Sequence, residues 1–182
     1  MNEALHVALG EHYASLHAEA HRVTAAPEQV GGSTFRATMA ALPTGVSLLT
    51  TRHDTGAWGM TVGSVTSLSL DPPLLLVCLR RSSTTLGLLA AYGRFAVSVL
   101  AAGHEPLADT FARPRDQTST TVTFDSLDDL PVVPGALAWL TCQHQHTYTS
   151  GDHAIVIGAV RLAQHRAGEP LVRHASRYRH LR

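Results

Sequence analysis

The sequence predicts a mainly β chain folded as an antiparallel barrel with short flanking helices. Two observations carry that prediction. About seven segments have the β-branched, aromatic or alternating character of strands, and several of their connections are too short for the crossovers that parallel strands require. No GxGxxG stretch follows a strand, so a doubly wound sheet with a dinucleotide-binding turn is unsupported. An antiparallel barrel accommodates the strands that remain.

The elements follow in order. Residues 3–22 read as an amphipathic helix, with Leu5, Leu9, Tyr13, Leu16 and Ala20 at three- and four-residue spacing. His6, His12, His17 and His21 lie on its other side, at spacings that suit a solvated face better than a metal site. Residues 24–33 form a linker. Ser33 or Thr34 then caps a short helix with Phe35, Met39 and Leu42 on one face, ended by Pro43. Val46–Thr51 is a β-branched strand, Asp54-Thr55-Gly56 a turn, and Trp58 opens the next strand. Residues 65–70 alternate as a half-buried strand does. Leu74–Leu79 follows Asp71-Pro72-Pro73 and is unbroken apolar, which predicts burial on both faces.

Residues 82–91 turn helical, with Ser and Thr first and Gly93 as the stop. Phe95–Leu100 is a strand, and residues 104–112 a short helix. Residues 113–134 read as a long irregular loop. Ala136–Tyr148 and residues 153–164 form a long hairpin about the turn Ser150-Gly151-Asp152. Pro170, Leu171 and a basic tail close the chain. The domain reading is residues 1–33 as helix and linker, and 34–182 as the barrel.

Composition bounds the function. The 182 residues are 45% apolar and 15% charged, with a formal charge of zero. That is a globular composition with a sizeable core. It lacks the positive field that nucleic acid requires. The apolar run at Leu74–Leu79 is too short to span a bilayer. The first residues show no basic stretch followed by an apolar one, so a secretory signal is not expected and a cytoplasmic protein is. Cys78 and Cys142 stand in apolar strands and read as small buried hydrophobes.

Two stretches carry chemistry. Residues 59–69 gather Thr61, Ser64, Thr66, Ser67 and Ser69 around Gly59 and Gly63. Backbone donors, small side chains and few charges suit the urea-like edge of a flat heteroaromatic ring. An ordinary hydroxyl-rich strand has the same composition. Ser82, Ser83, Thr84 and Thr85 follow Arg80-Arg81, which suits an anion at a helix N-terminus or, equally, simple capping. Together the two stretches describe a mononucleotide-like ligand. His144 and His146 lie about 7 Å apart on one strand face. No Cys, Asp or Glu stands at a fitting place beside them on that strand, so no metal is expected.

Phe35-Arg36, Thr44-Gly45-Val46, Gly59-Met60-Thr61, Ser64 through Pro73, Phe95–Leu100, Phe111-Ala112, Gly151-Asp152-His153 and Pro170-Leu171 occur in an order and spacing that resembles the short-chain flavin reductase family. These are FMN-binding split-barrel proteins, reductase components of two-component flavin-dependent monooxygenases. The likeness runs from Phe35 to Tyr178, about four fifths of the chain.

The resemblance implies a split barrel that binds FMN or FAD together with NADH or NADPH. It places Thr61, Val62, Gly63, Ser64, Val65, Ser67 and Leu68 along the isoalloxazine. It places Ser82, Ser83 and Thr84 at the ribityl phosphate, and Phe111 and Ala112 at a further flavin contact. His153 and Tyr178, with Ala175, Ser176 and Arg177, fall on the nicotinamide side. Gly63 and Ser98 depart from the asparagine of many relatives. The implied chemistry is hydride transfer to the flavin N5, with the protein supplying proximity and orientation and His153 orienting the nicotinamide or its phosphates, unless it merely caps its own hairpin turn. The resemblance further implies a homodimer and a separate monooxygenase that uses the reduced flavin. Two other readings fit the same residues: a split barrel that keeps its flavin and acts on an organic substrate, and a flavin- or haem-binding protein without turnover.

Overall fold

A computed structural model of the chain describes residues 30–54, 56–112 and 122–181. The predicted helix over 3–22 and part of the predicted loop over 113–134 lie outside them. Two compact units divide the chain between Thr38 and Met39. Helix α1 (Gly32–Met39) begins in the first unit and buries no residue.

Among the described residues, the second unit holds every other element. In order these are β1 (Thr44–Gly45), β2 (Ser47–His53), β3 (Gly56–Val62), β4 (Thr66–Leu70), β5 (Pro73–Arg80), α2 (Thr84–Tyr92), β6 (Arg94–Val99) and α3 (Glu105–Phe111). There follow β7 (Asp125–Leu127), β8 (Leu130–Val132), β9 (Ala138–Ser150), β10 (His153–His165), β11 (Val172–His174) and β12 (Arg177–Arg179). Seven strands make one antiparallel sheet in the order β3-β2-β6-β9-β10-β5-β4. These are the seven strands the sequence predicts.

That order forces the sheet to close. Strands β3 and β4 are consecutive in sequence but stand at opposite ends of the sheet. A flat sheet of this width would hold its edges about 29 Å apart. The chain from Val62 to Thr66 reaches at most about 14 Å. The connection Gly63-Ser64-Val65 therefore curls the sheet and draws its two edges together.

The long β9–β10 hairpin supplies the bend. Residues 138–143 of β9 pair with β6, whereas residues 153–159 of β10 pair with β5. Register shifts at Ile157/Gly158 and Val160/Leu162 lie where the pairing passes from one neighbour to the other. Bulges bend and twist a strand in this way. A Cβ at Gly158 would lie 2.5 Å from Phe95 Cζ and 3.0 Å from Cys142 Cβ, so only glycine lets the Phe95 ring into the bend.

Two apolar clusters flank β2. Leu49 packs with Val77, Leu79, Phe95, Val97 and Val156 on one side, and Leu48 with Leu100, Phe111, Val133 and Leu171 on the other. Ser47 through Thr51 are all buried. Burial on both faces thus belongs to β2, not to Leu74–Leu79. In β5 only Leu75, Val77 and Leu79 are buried, because the alternate residues face outward. The sheet also exposes β4 more than its alternation predicts: Leu68 and Leu70 are 44% and 88% exposed. Cys142 is fully buried, and burial pushes its thiol up to about 12.

The basic tail is not merely a solvated terminus. Strands β11 and β12 pair with each other, and β11 with β1, in a three-stranded sheet. Three backbone bonds stitch that sheet to the barrel: Val46 N–H to Leu171 O, Leu171 N–H to Leu100 O, and Leu100 N–H to Val46 O. The predicted irregular loop also contains structure, the hairpin β7–β8. Asp128 and Asp129 turn it, both at positive φ, as the common two-residue hairpin turn requires. Asp128 carboxylate holds Arg94, Arg161 and Thr141 Oγ1, which keeps its carboxyl below the usual range.

Candidate functional site

The seam where β3 and β4 come together is the natural place for a planar ligand. Each is an edge strand with one paired side, so each turns a row of backbone N–H and C=O groups outward. Thr61, Val62, Gly63, Ser64, Val65, Ser67 and Leu68 all lie along this seam or its connection. Their side chains divide by task. Val62 is buried and Val65 packs on the core. Thr61 Oγ1 donates to Ala108 O at 2.7 Å, which docks α3 on β3. Ser64 Oγ bonds both the N–H and the C=O of Cys78 at 3.0 Å, so it fastens the connection to β5. Gly63 and Ser67 are exposed, and Leu68 is skipped by the ladder to β5.

Beyond Cys78, β5 leads to the predicted anion stretch. Ser83 caps α2, its side chain accepting from Leu86 N–H at 3.2 Å, and Gly93 ends the helix in the left-handed region. Ser82, Thr84, Arg80 and Arg81 are exposed around that N-terminus. The loop is held from outside by the β9–β10 turn. Arg81 N–H donates to Asp152 O at 3.0 Å, and its guanidinium reaches Gly151 O. Strand register sets His153 opposite Arg80. His153 Nδ1 meets Asp152 Oδ1 at 2.7 Å, and that bond, with nearby Arg80, keeps the Asp152 carboxyl low. The fold therefore brings His153 to the Ser82–Thr84 loop.

Tyr178 stands elsewhere. It lies on β12, where its phenol donates to Asp109 Oδ1 on α3 at 2.8 Å. Burial and Asp109 push that phenol up to about 12. Ala175 and Ser176 form the β11–β12 turn, both at positive φ, with Ala175 N–H bound to Ala40 O. Arg177 is exposed. Among the described residues no hydrogen bond joins His153 to Tyr178. Phe111 is buried, its ring lying against the space that a side chain at Gly59 would need, while Ala112 is exposed at the helix end.

Sequence reasoning gave no site role to Asp109, and named Thr44 only within the Thr44-Gly45-Val46 piece of the resemblance. A Cβ at Gly63 would lie 3.1 Å from Thr44 Oγ1, so that hydroxyl borders the seam. Only tertiary register reveals either role. His144 and His146 are separated by a bulge that leaves Gln145 unpaired, and each has a local partner: Thr147 for His144, Tyr148 for His146. Among the described residues no group of three His, Cys, Asp or Glu is arranged to hold a metal, and no helix is long and apolar enough to cross a membrane.

An antiparallel barrel split at a polar seam between β3 and β4, with an arginine- and hydroxyl-rich helix start beside it, defines the class of fold. Comparison with known proteins gives the family. Residues 39–182 match the family described as "Flavin reductase like domain", and the chain belongs to it. It is 38% identical over 143 residues to an FMN reductase (NADH), SmoA, of Agrobacterium fabrum, covering 75% of this chain and 79% of that one. It is 32% identical over 146 residues to the reductase component of a 4-nitrophenol 4-monooxygenase/4-nitrocatechol 2-monooxygenase of Rhodococcus opacus, covering 80% and 79%. The NADH:FAD oxidoreductase SgcE6 of Streptomyces globisporus, solved with NAD and FAD fragments, superposes with a TM-score of 0.78 at 34% identity. That alignment covers 86% of this chain and 98% of the other.

Proposed function

We propose that the chain is an NAD(P)H:flavin oxidoreductase that reduces FMN or FAD and passes the reduced flavin to a separate monooxygenase. The observation that carries this reading is the seam at Gly63–Val65, open along two strand edges and continuous through Ser64 and Cys78 with the anion loop.

The residues fit a flavin nucleotide. The outward-facing backbone of β3 and β4 offers alternating donors and acceptors to a ring edge. Exposed Gly63 leaves room for a ring to approach closely. The exposed hydroxyls of Ser82 and Thr84, the α2 N-terminus and Arg80-Arg81 suit its phosphate. A bound flavin supplies the electron-accepting ring to which a reduced nicotinamide gives its hydride. The protein's part is to hold the two ring systems in reacting geometry. His153 stands beside the anion loop, where Asp152 fixes its ring and leaves Nε2 to meet a ligand. Tyr178, whose single phenol proton goes to Asp109, is held against α3 as a neutral ring.

The exposed apolar side chains of Leu68 and Leu70 on β4 support a homodimer, since such side chains seek a covering surface. Relatives named as monooxygenase reductase components support a separate oxygenase, and cytoplasmic residence follows from that role. The test gives purified protein NADH or NADPH, with and without FMN or FAD, and follows nicotinamide oxidation. Oxidation that saturates with added flavin is the expected result. A protein that binds flavin yet oxidises neither nicotinamide would overturn it. Sedimentation at micromolar concentration should show a dimer, with Leu70→Lys shifting it toward monomer.

A further inference from the structure

Strand register aligns three residues that no motif connects. Thr44 of β1 pairs with Arg173 of β11, and Arg173 pairs with Tyr178 of β12. Directly opposed residues in antiparallel strands project to the same face. Thr44, Arg173 and Tyr178 therefore form one row across the small sheet. One end of the row borders the seam, and the other is tied to α3. Thr44 Oγ1 lies 3.1 Å from the space a Cβ at Gly63 would fill, and the Tyr178 phenol is held by Asp109 of α3. Arg173 stands between them. It is exposed, and among the described residues its guanidinium has neither an ion pair nor a hydrogen bond. Its field acts on the Tyr178 phenol, favouring the ionised form.

The neighbouring charges leave Arg173 available. His174, Arg177 and Arg179 alternate to the opposite face of their strands. Of the acidic groups on α3, Asp109 accepts from Tyr178 and Glu105 pairs with His180 at 3.7 Å.

The seam connection thus has two flanks. On one, Ser64 ties it to Cys78, and β5 continues to Arg80, Arg81 and the hydroxyls of residues 82–84. On the other, Gly63 faces Thr44 and the row that Arg173 centres. Two nucleotides that meet at the seam bring two anionic parts, and the first flank is already assigned to the flavin phosphate. We propose that Arg173 determines affinity for the second nucleotide, its guanidinium taking the phosphate-bearing part of the nicotinamide cofactor while Tyr178 borders the ring. This rests on the flavin reductase reading above.

Arg173→Gln keeps much of the apolar stem and removes the charge, and Arg173→Lys restores the charge without the fork. Binding of NADH is titrated by fluorescence, separately from flavin binding and from turnover. Arg173→Gln should weaken NADH on the order of tenfold, in both dissociation constant and KM. Arg173→Lys should recover part of the loss. Flavin affinity and kcat at saturation should stay within about twofold in both variants. The rise of NADH KM with salt should flatten in Arg173→Gln, since the charge that salt screens is gone. Unchanged NADH binding in Arg173→Gln, or flavin affinity that falls in step, overturns the assignment and leaves the reductase reading intact. A wild-type chain that binds flavin and no nicotinamide overturns both.

Discussion

Ser64 Oγ accepts from the N–H of Cys78 and donates to its C=O, both at 3.0 Å. One hydroxyl thus satisfies both backbone groups of a residue that lies beyond the last ladder pair of β4 with β5, Thr66 with Leu76. Ser64→Ala strands a part-buried donor and acceptor together. We expect a loss of about 1–3 kcal/mol in urea unfolding. Flavin affinity should fall as well, because the seam connection is no longer fastened. Unaltered stability would show that water replaces the hydroxyl without cost.

Gly158 and Phe95 make a second prediction. Gly158→Ala places a methyl inside contact distance of the Phe95 ring at the bend of β10. Overpacking of this kind costs about 1–3 kcal/mol, read as a lower urea midpoint. Adding Phe95→Leu to Gly158→Ala should cost less than the sum of the two single changes, because the smaller side chain frees the space. Simple additivity would mean that the clash is relieved elsewhere.

Asp128 predicts a pH dependence. Arg161, Arg94 and Thr141 hold its carboxyl below its ordinary value. A carboxyl depressed in the folded state adds stability above its unfolded pKa, about 4, and loses it as pH falls through the folded value. Asp128→Asn should therefore be less stable than wild type at pH 7, with the gap closing below pH 4. A gap of constant size from pH 7 to pH 3 would argue that shape, not charge, holds the β7–β8 hairpin.

Tyr178 predicts a spectroscopic signature. Its phenol is raised to about 12, first by burial and then by Asp109. The raised value favours the neutral form, so its contribution to stability declines as pH climbs from 10 through 12. A difference titration at 295 nm between wild type and Tyr178→Phe should show one phenol ionising near 12. Asp109→Asn should lower that midpoint without restoring the ordinary value, since burial remains. A midpoint unmoved by Asp109→Asn would separate the two residues.

The seven strands of the barrel were legible because each is long enough to carry a pattern. Five others were not. β1, β7, β8, β11 and β12 have two or three residues each, too few for alternation, and their partners fix them. The seam residues were legible as a run of small and hydroxylated types. Their division of labour was not: Thr61 and Ser64 use their hydroxyls to fasten backbone, which composition cannot distinguish from facing a ligand. Asp109 and Arg173 carry no local signal, and Thr44 only its place in the Thr44-Gly45-Val46 piece. They meet only through register across the small sheet and the docking of α3. The double burial expected of Leu74–Leu79 belongs to Ser47–Thr51. An apolar run reports hydrophobicity, whereas Thr50 and Thr51 are buried because they bond to Pro131 O and Arg94 O.

The seam has one more consequence, in the balance between folded and unfolded chains. Only the folded barrel brings the ends of its sheet together, so a ligand seated there binds the native state alone. Mass action then adds about 2.7 kcal/mol of stability at a hundred times the dissociation constant. On the proposed reading that flavin is this ligand, a chain short of flavin becomes easier to unfold and degrade. Its abundance should then rise and fall with flavin supply.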